Sequence, residues 1–150
     1  MVLFITFITI LHSLLFFYDE SLLNKKRELT KFENISVYID GFFFLVPVAM
    51  TLFTNYDSKF NMIYLIMSIF SCLSIIKNEL FYTDLSKRER LVHAALYVLH
   101  PLILYAFHES WKQDFFKNNM TYWMLQLGYF ILCVKAITYH VIYWNYIHKK

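Results

Sequence analysis

Five long apolar runs, separated by short polar connections, organise the chain of 150 residues. The runs cover residues 2–18, 37–56, 60–78, 90–107 and 122–147. A helix rises about 1.5 Å per residue, so roughly 20 apolar residues cross the hydrocarbon core of a bilayer. Each run reaches or approaches that length. The pattern predicts an all-α, polytopic integral membrane protein, a bundle of five transmembrane helices that forms a single domain over residues 1–150.

Composition is typical of a membrane protein, and it argues against nucleic-acid binding and against sites built from cysteines. Hydrophobic residues make up 59% of the chain and charged residues only 17%, whereas about a quarter of the residues in a soluble domain are charged. No basic face interleaved with aromatic residues lies in a polar segment, so no nucleic-acid partner is expected. Cys72 and Cys133 both lie in apolar runs and form no CxxC pair, so neither a thiol redox motif nor a cysteine zinc site is predicted.

The positive charges predict how the chain crosses the bilayer. The first connection, the third connection and the tail hold ten of the fourteen basic residues, namely Lys25, Lys26, Arg27, Lys31, Lys77, Lys87, Arg88, Arg90, Lys149 and Lys150. Five alternating spans put all ten on one side, and the side rich in Lys and Arg is cytoplasmic. The N-terminus is therefore predicted outside and the C-terminus in the cytoplasm. In a bacterium the protein would lie in the inner membrane.

Every predicted span carries an acid or an imidazole close to its cytoplasmic end. The set comprises His12, Asp40, Glu79, Glu89, His93 and His140, with His100 nearer the middle of the bilayer. Ionisable side chains within a membrane are costly and are usually paired or functional. Helical phase puts the fourth-span residues on one face, and Asp19 follows His12 by seven residues on the same stripe. We expect the set to point into the bundle.

Imidazoles and carboxylates in this mixture favour a metal site. Histidine supplies neutral nitrogen donors, and Asp or Glu supplies charge that offsets a divalent cation such as iron or zinc. One zinc ion needs four ligands, or three and a water, and seven candidate donors also suffice for two metals. The predicted function is a metal-dependent oxidoreductase or hydrolase. Its substrate would be a lipid or quinone that enters sideways from the lipid bilayer.

Two other functions fit the same residues. His93 and His140 lie at similar depth on different spans and could ligate haem in a membrane electron carrier. Alternatively, the set forms a polar relay in a proton-coupled transporter or a non-enzymatic subunit, as a homo-oligomer or within a larger membrane complex. Simpler roles also exist: Ser86 and Glu89 have the spacing of a capping box, and Asp40 could pair with a basic residue. The sequence contains no HxxxH, HxxHH or HExxH motif that would choose among these functions.

Overall fold

In the computed structural model, the described residues are 2–23, 31–79 and 85–142, with side chains described for all of these except 31–34, 78, 79 and 140. The helices are α1 (Val2–Tyr18), a π-helical segment (Asp19–Leu23), α2 (Lys31–Phe53), α3 (Ser58–Glu79), α4 (Lys87–Lys112), α5 (Phe115–Asn118) and α6 (Met120–Ile142). No β-strand occurs in these parts of the chain. The all-helical class predicted from the apolar runs is thereby confirmed.

Five of the helices in the described residues are long and apolar enough to cross a membrane, as the hydropathy pattern predicts. These stretches are Val2–Leu23, Ile35–Phe53, Ser58–Lys77, Lys87–Lys112 and Met120–Tyr139. Two of these helices are longer than the apolar runs of the first and fourth predicted spans. Helical structure continues past Tyr18 through the π-helical segment, and α4 extends beyond its apolar run into polar residues as far as Lys112.

The five long helices form a closed ring in the order α1, α4, α3, α2 and α6, and α2 also touches α4 across the centre. Contacts join the end of one helix to the start of its neighbour in the ring, so most neighbouring helices run antiparallel. Asp19, after α1, meets His93 near the start of α4, and Thr51, late in α2, meets Gln126 early in α6. The five helices therefore pass up and down in alternation, and each contributes to one shared interior.

Apolar side chains fill this interior and also cover the outside. The buried cluster includes Ile8, Phe44, Val48, Ile103 and Phe107. Large hydrophobic residues are exposed along every long helix, for example Leu3, Phe42, Met62, Val98 and Met124. A soluble monomer rarely exposes so much contiguous apolar surface, whereas lipid tails cover it in a bilayer. The exposed faces therefore have the chemistry of a lipid-contacting surface.

Gly41 lets α2 and α6 approach each other closely. A β-carbon at this position would lie 2.5 Å from Cδ1 of Ile137, so the isoleucine side chain occupies the space that a larger residue would need. Small residues at the contacts between membrane helices commonly have this role. The close approach brings the second half of α6 against the beginning of α2, next to the cavity described below.

A capping box begins α4, as the sequence predicts. The backbone N–H of Ser86 donates to Oε2 of Glu89 at 2.7 Å, and the backbone N–H of Glu89 donates to Oγ of Ser86 at 3.3 Å. These two bonds satisfy backbone donors that have no partner within the helix. The structure thus gives the carboxylate of Glu89 a local role in starting the helix.

We expect Glu89→Ala to lower the free energy of unfolding by about 1 kcal/mol, because the alanine cannot accept the bond from Ser86. Glu89→Gln is the matched control, since glutamine also completes a capping box and only the charge is lost. Thermal unfolding in detergent, followed by circular dichroism, measures both variants. Equal losses for alanine and glutamine would contradict the capping role and would indicate that the charge matters.

Candidate functional site

A cavity of about 140 Å³ lies where the end of α1, the π-helical segment, the start of α2, the start of α4 and the second half of α6 meet. We call it the histidine cavity. The ionisable His, Asp and Glu residues that line it are His12, Asp19, Glu20, Asp40, His93 and His100. Most of the remaining lining is apolar, including Phe16, Phe44 and Ile137. A mostly apolar cavity with a few converging polar groups is typical of a ligand site.

Four of the seven residues predicted as metal ligands line this one cavity, namely His12, Asp40, His93 and His100. Glu89 is not among the lining residues and caps α4 instead. Glu79 and His140 belong to α3 and α6, but their side chains lie outside the described residues. These four residues, which the sequence puts at similar depths along their helices, therefore line one cavity.

Asp19 and His93 form a buried pair across the cavity wall. Oδ1 of Asp19 lies 3.2 Å from Nε2 of His93, and both residues are buried. Asp19 is the first residue of the π-helical segment, which continues α1 with a wider turn. Such turns are frequent at functional sites because they redirect a side chain within an otherwise regular helix. A carboxylate that accepts from an imidazole N–H fixes the orientation of the ring.

His12 is held from one side and presents its other nitrogen to the cavity. Its Nδ1 lies 2.9 Å from Oη of Tyr129, and its ring stacks on Phe44 with an interplanar angle of 11°. Nε2 of His12 is buried and has no hydrogen-bond partner among the described residues. If Tyr129 donates to Nδ1, Nε2 carries a proton, and if Tyr129 accepts, Nε2 has a free lone pair. Either form leaves a polar atom available to a ligand.

His100 lies on the same face of α4 as His93, about two turns deeper in the bundle. Its Nε2 is 2.7 Å from Oγ of Ser71 on α3, so this nitrogen already has a partner. The His100 ring also lies 4.4 Å from the ring of Phe44 and 6.0 Å from that of His12, measured between centroids. The histidines of the cavity are therefore neighbours, each fixed by a different partner.

Side chains that bind one metal ion must lie closer together than side chains that only line the same cavity. Among the side chains that the structure describes, no three His, Cys, Asp or Glu residues are close enough together to hold a metal ion. The three histidines of the cavity are hydrogen-bonded to three different partners, His12 to Tyr129, His93 to Asp19 and His100 to Ser71. The metal site stays a prediction, because two of its seven proposed ligands, Glu79 and His140, have side chains outside the described residues.

Several residues that line the cavity or hold its histidines were not in the predicted set. Asp19 lies on the predicted stripe of His12, and Tyr129 lies on the inward face of the fifth span, so helical phase could have included both. Glu20 lies eight residues after His12 and four after Phe16, so the same helical phase also includes it. Ser71 had no comparable signal, because its contact with His100 depends on how α3 is aligned with α4.

Comparisons with protein-family models, with curated proteins and with solved structures give no match for this chain. A helical bundle hosts many unrelated functions, so the fold by itself does not assign one. The function therefore has to follow from the chemistry of the histidine cavity and from its position in the bundle.

Proposed function

We propose that this chain is an integral membrane protein, with its N-terminus outside and its C-terminus in the cytoplasm, whose histidine cavity transfers protons near the cytoplasmic face. The observation that carries this proposal is the buried Asp19–His93 pair, which lies in the same cavity as Nε2 of His12. The site would serve a proton-coupled step of a membrane subunit or transporter.

The orientation follows from charge. The cavity lies at the end of the bundle where α3 reaches Lys77 and α4 begins at Lys87, and the sequence places ten of its fourteen Lys and Arg residues on this side. Loops rich in Lys and Arg remain in the cytoplasm. Protons could then enter the cavity from the cytoplasmic solution through the headgroup region.

The proton-transfer role follows from the chemistry of the pair. Ionisable groups within a membrane are expensive to bury, so a carboxylate and an imidazole kept together there favour a function. The Asp19 carboxylate orients the His93 ring and stabilises the imidazolium that forms when the ring takes up a proton. Asp40 and Glu20 line the same cavity and are further groups that can accept or release a proton.

Nuclear magnetic resonance of protein labelled with ¹⁵N-histidine, reconstituted in nanodiscs, tests this role. We expect the His93 signal to change from the neutral to the protonated form as the pH is lowered, and Asp19→Asn to alter that change. His108, half-buried beside Asn61 at the opposite end of the bundle, is the control and should respond the same way in both proteins. A His93 signal that is independent of pH and of Asp19 would overturn the proposal.

A metal centre is the second candidate, and the Nε2 atom of His12 favours it. Histidines that bind metals usually donate their other N–H to an oxygen, and Tyr129 is placed to accept such a bond at 2.9 Å. Asp40 and His93 line the same cavity. With a bound iron or zinc ion, the site would support a metal-dependent oxidoreductase or hydrolase acting on a lipid or quinone.

Metal analysis by mass spectrometry of the purified protein tests this second candidate. We expect a stoichiometric metal in the wild type, loss of the metal in His12→Gln, and about 10- to 100-fold weaker binding in Tyr129→Phe. His108→Gln, outside the cavity, should retain the wild-type content. If the wild type and His12→Gln carry the same negligible metal, the metal centre is lost and proton transfer stands alone.

Haem ligation by His93 and His140 stays a prediction. Nε2 of His93 is engaged with Asp19, and the side chain of His140 lies outside the described residues. The absorption spectrum of the purified protein distinguishes this function directly, since a Soret band would replace both candidates above with an electron carrier.

A further inference from the structure

A second cavity, of about 220 Å³, lies beside the histidine cavity between α1 and α6. We call it the lateral groove. Its polar lining residues are Glu20, Ser21, Lys135 and Tyr139. Phe16, Phe17, Leu132 and Ala136 complete the lining and are apolar apart from their backbone. The groove therefore combines one cation, one anion and two hydroxyl groups with an apolar wall, within the length of two membrane-spanning helices.

Lys135 is the unusual member of this lining. It is an exposed cation within the span Met120–Tyr139, and it forms no ion pair with any residue that the structure describes. It precedes Tyr139, at the end of that span, by four residues, which is roughly 6 Å along the helix axis. A lysine at this depth can extend its ammonium group to the headgroup region while its methylene groups stay in the apolar layer.

Glu20 supplies the opposite charge on the α1 side of the groove. A ligand with a single charge would be attracted by one of these residues and repelled by the other. A zwitterionic headgroup complements both, since a phosphate can approach Lys135 while an ammonium group approaches Glu20. We propose that the lateral groove binds a zwitterionic phospholipid, with its headgroup between Lys135 and Glu20 and its acyl chains along the apolar wall.

The lateral groove and the histidine cavity share a wall. Phe16, Glu20 and Ala136 line both. A headgroup bound in the groove therefore lies beside the cavity that contains His12 and Asp19. Binding of the lipid depends only on the groove, whereas its role as the molecule that the histidine cavity serves rests on the proposed function.

Native mass spectrometry of delipidated protein tests the binding with three lipids that have the same acyl chains. These are phosphatidylethanolamine, which is zwitterionic, phosphatidylglycerol, which is anionic, and diacylglycerol, which has no charge. The phosphate can accept a charged hydrogen bond from Lys135 and diacylglycerol has no phosphate, so we expect phosphatidylethanolamine to bind at least about tenfold more tightly than diacylglycerol. It should also bind more tightly than phosphatidylglycerol, which Glu20 repels.

Variants assign the two charges. Lys135→Gln should reduce phosphatidylethanolamine binding to the diacylglycerol level, and Lys135→Arg should restore it. Glu20→Gln should remove the preference for phosphatidylethanolamine over phosphatidylglycerol. Lys112→Gln, at the exposed end of α4, is the matched control and should bind like the wild type.

Three results would overturn this inference. Equal affinity for all three lipids would mean that lipids only surround the protein without a specific site. Tighter binding of phosphatidylglycerol by the wild type would mean an anionic headgroup site. Unchanged binding in Lys135→Gln would place the headgroup elsewhere. Each result leaves the His93 resonance experiment unaffected, so failure of the lipid site and failure of the proton-transfer role can be told apart.

Discussion

Replacing Asp19 with alanine is expected to lower the free energy of unfolding by about 3 kcal/mol. The change removes the carboxylate that lies 3.2 Å from Nε2 of His93 and leaves the imidazole in a buried site without it. Breaking a buried pair on one side is costly because the remaining partner has lost its hydrogen bond while staying away from water. Unfolding of the purified protein in mixed detergent micelles, with increasing sodium dodecyl sulfate, measures the loss.

Two further variants test whether the loss in Asp19→Ala comes from the contact with His93. Asp19→Asn keeps an acceptor oxygen and should lose only about 1 kcal/mol. Asp114→Asn, at an exposed aspartate that pairs with Lys117 and has a left-handed backbone that asparagine also tolerates, should change stability by less than about 1 kcal/mol.

A double-mutant cycle with His93→Ala then isolates the interaction itself. We expect a coupling energy of roughly 1–3 kcal/mol between Asp19 and His93. Losses that add to within about 0.5 kcal/mol would show that the two side chains contribute independently and would remove the pair as the centre of the site.

The sequence was sufficient to predict five helices long and apolar enough to span a membrane, and it singled out four ionisable residues that line one cavity. Both depend on information that is local along the chain. Hydropathy identifies a span from about 20 consecutive residues, and counting from its end gives the depth of each member. Helical phase then orients a residue such as His93 or His100 relative to its own helix. Neighbouring helices are not needed for any of these steps.

Contacts between helices could not be predicted in the same way. The pairing of His93 with Asp19 requires α1 to lie beside α4, and the apolar runs carry no signal for that order. Lipid-facing and interior positions are both apolar in this chain, so the sequence marks the inward face only where a polar residue lies on it. The partners of the histidines, Ser71 and Tyr129, depend on the axial alignment of separate helices.

The sequence also carries no warning of the π-helical segment that contains two carboxylates of the site. The π-helical segment widens the turn after Tyr18. Regular helical phase already puts Asp19 and Glu20 on the face of His12, but it does not predict this wider turn. The turn lies at the site itself, because both carboxylates line the histidine cavity and Glu20 also lines the lateral groove. A sequence of ordinary helix-forming residues, Asp-Glu-Ser-Leu-Leu, gives no indication of such a turn.

The opposite end of the bundle is held together by aromatic residues. Nε1 of Trp111, near the end of α4, donates to the carbonyl oxygen of Thr54 at 2.9 Å. The Trp111 ring lies 5.1 Å from that of Tyr56 and 5.7 Å from that of Tyr64, measured between centroids. Oη of Tyr64 in turn donates to the carbonyl oxygen of Leu104 at 2.6 Å. These contacts connect α2, α3 and α4 at the end farthest from the histidine cavity.

Trp111→Ala should therefore lower the free energy of unfolding by about 3–5 kcal/mol, as expected for removing a buried aromatic side chain. The Trp111 side chain is only 2% exposed, so the change leaves a void and an acceptor without its donor. Trp111→Phe keeps most of the ring and should lose about 1 kcal/mol through the hydrogen bond to Thr54. The same unfolding measurement in mixed micelles applies.

Tyr105→Ala is the matched control, because Tyr105 is an aromatic residue of the same helix that is 61% exposed. We expect Tyr105→Ala to lower the free energy of unfolding much less than Trp111→Ala does. Equal losses would contradict the role of Trp111 in holding this end of the bundle together. Trp111 follows His93 by eighteen residues, roughly 27 Å along α4. At that distance the His93 resonance should keep its wild-type dependence on pH in Trp111→Ala. The variant would then lose stability while the proposed proton-transfer site keeps its behaviour, since Trp111 does not line the histidine cavity.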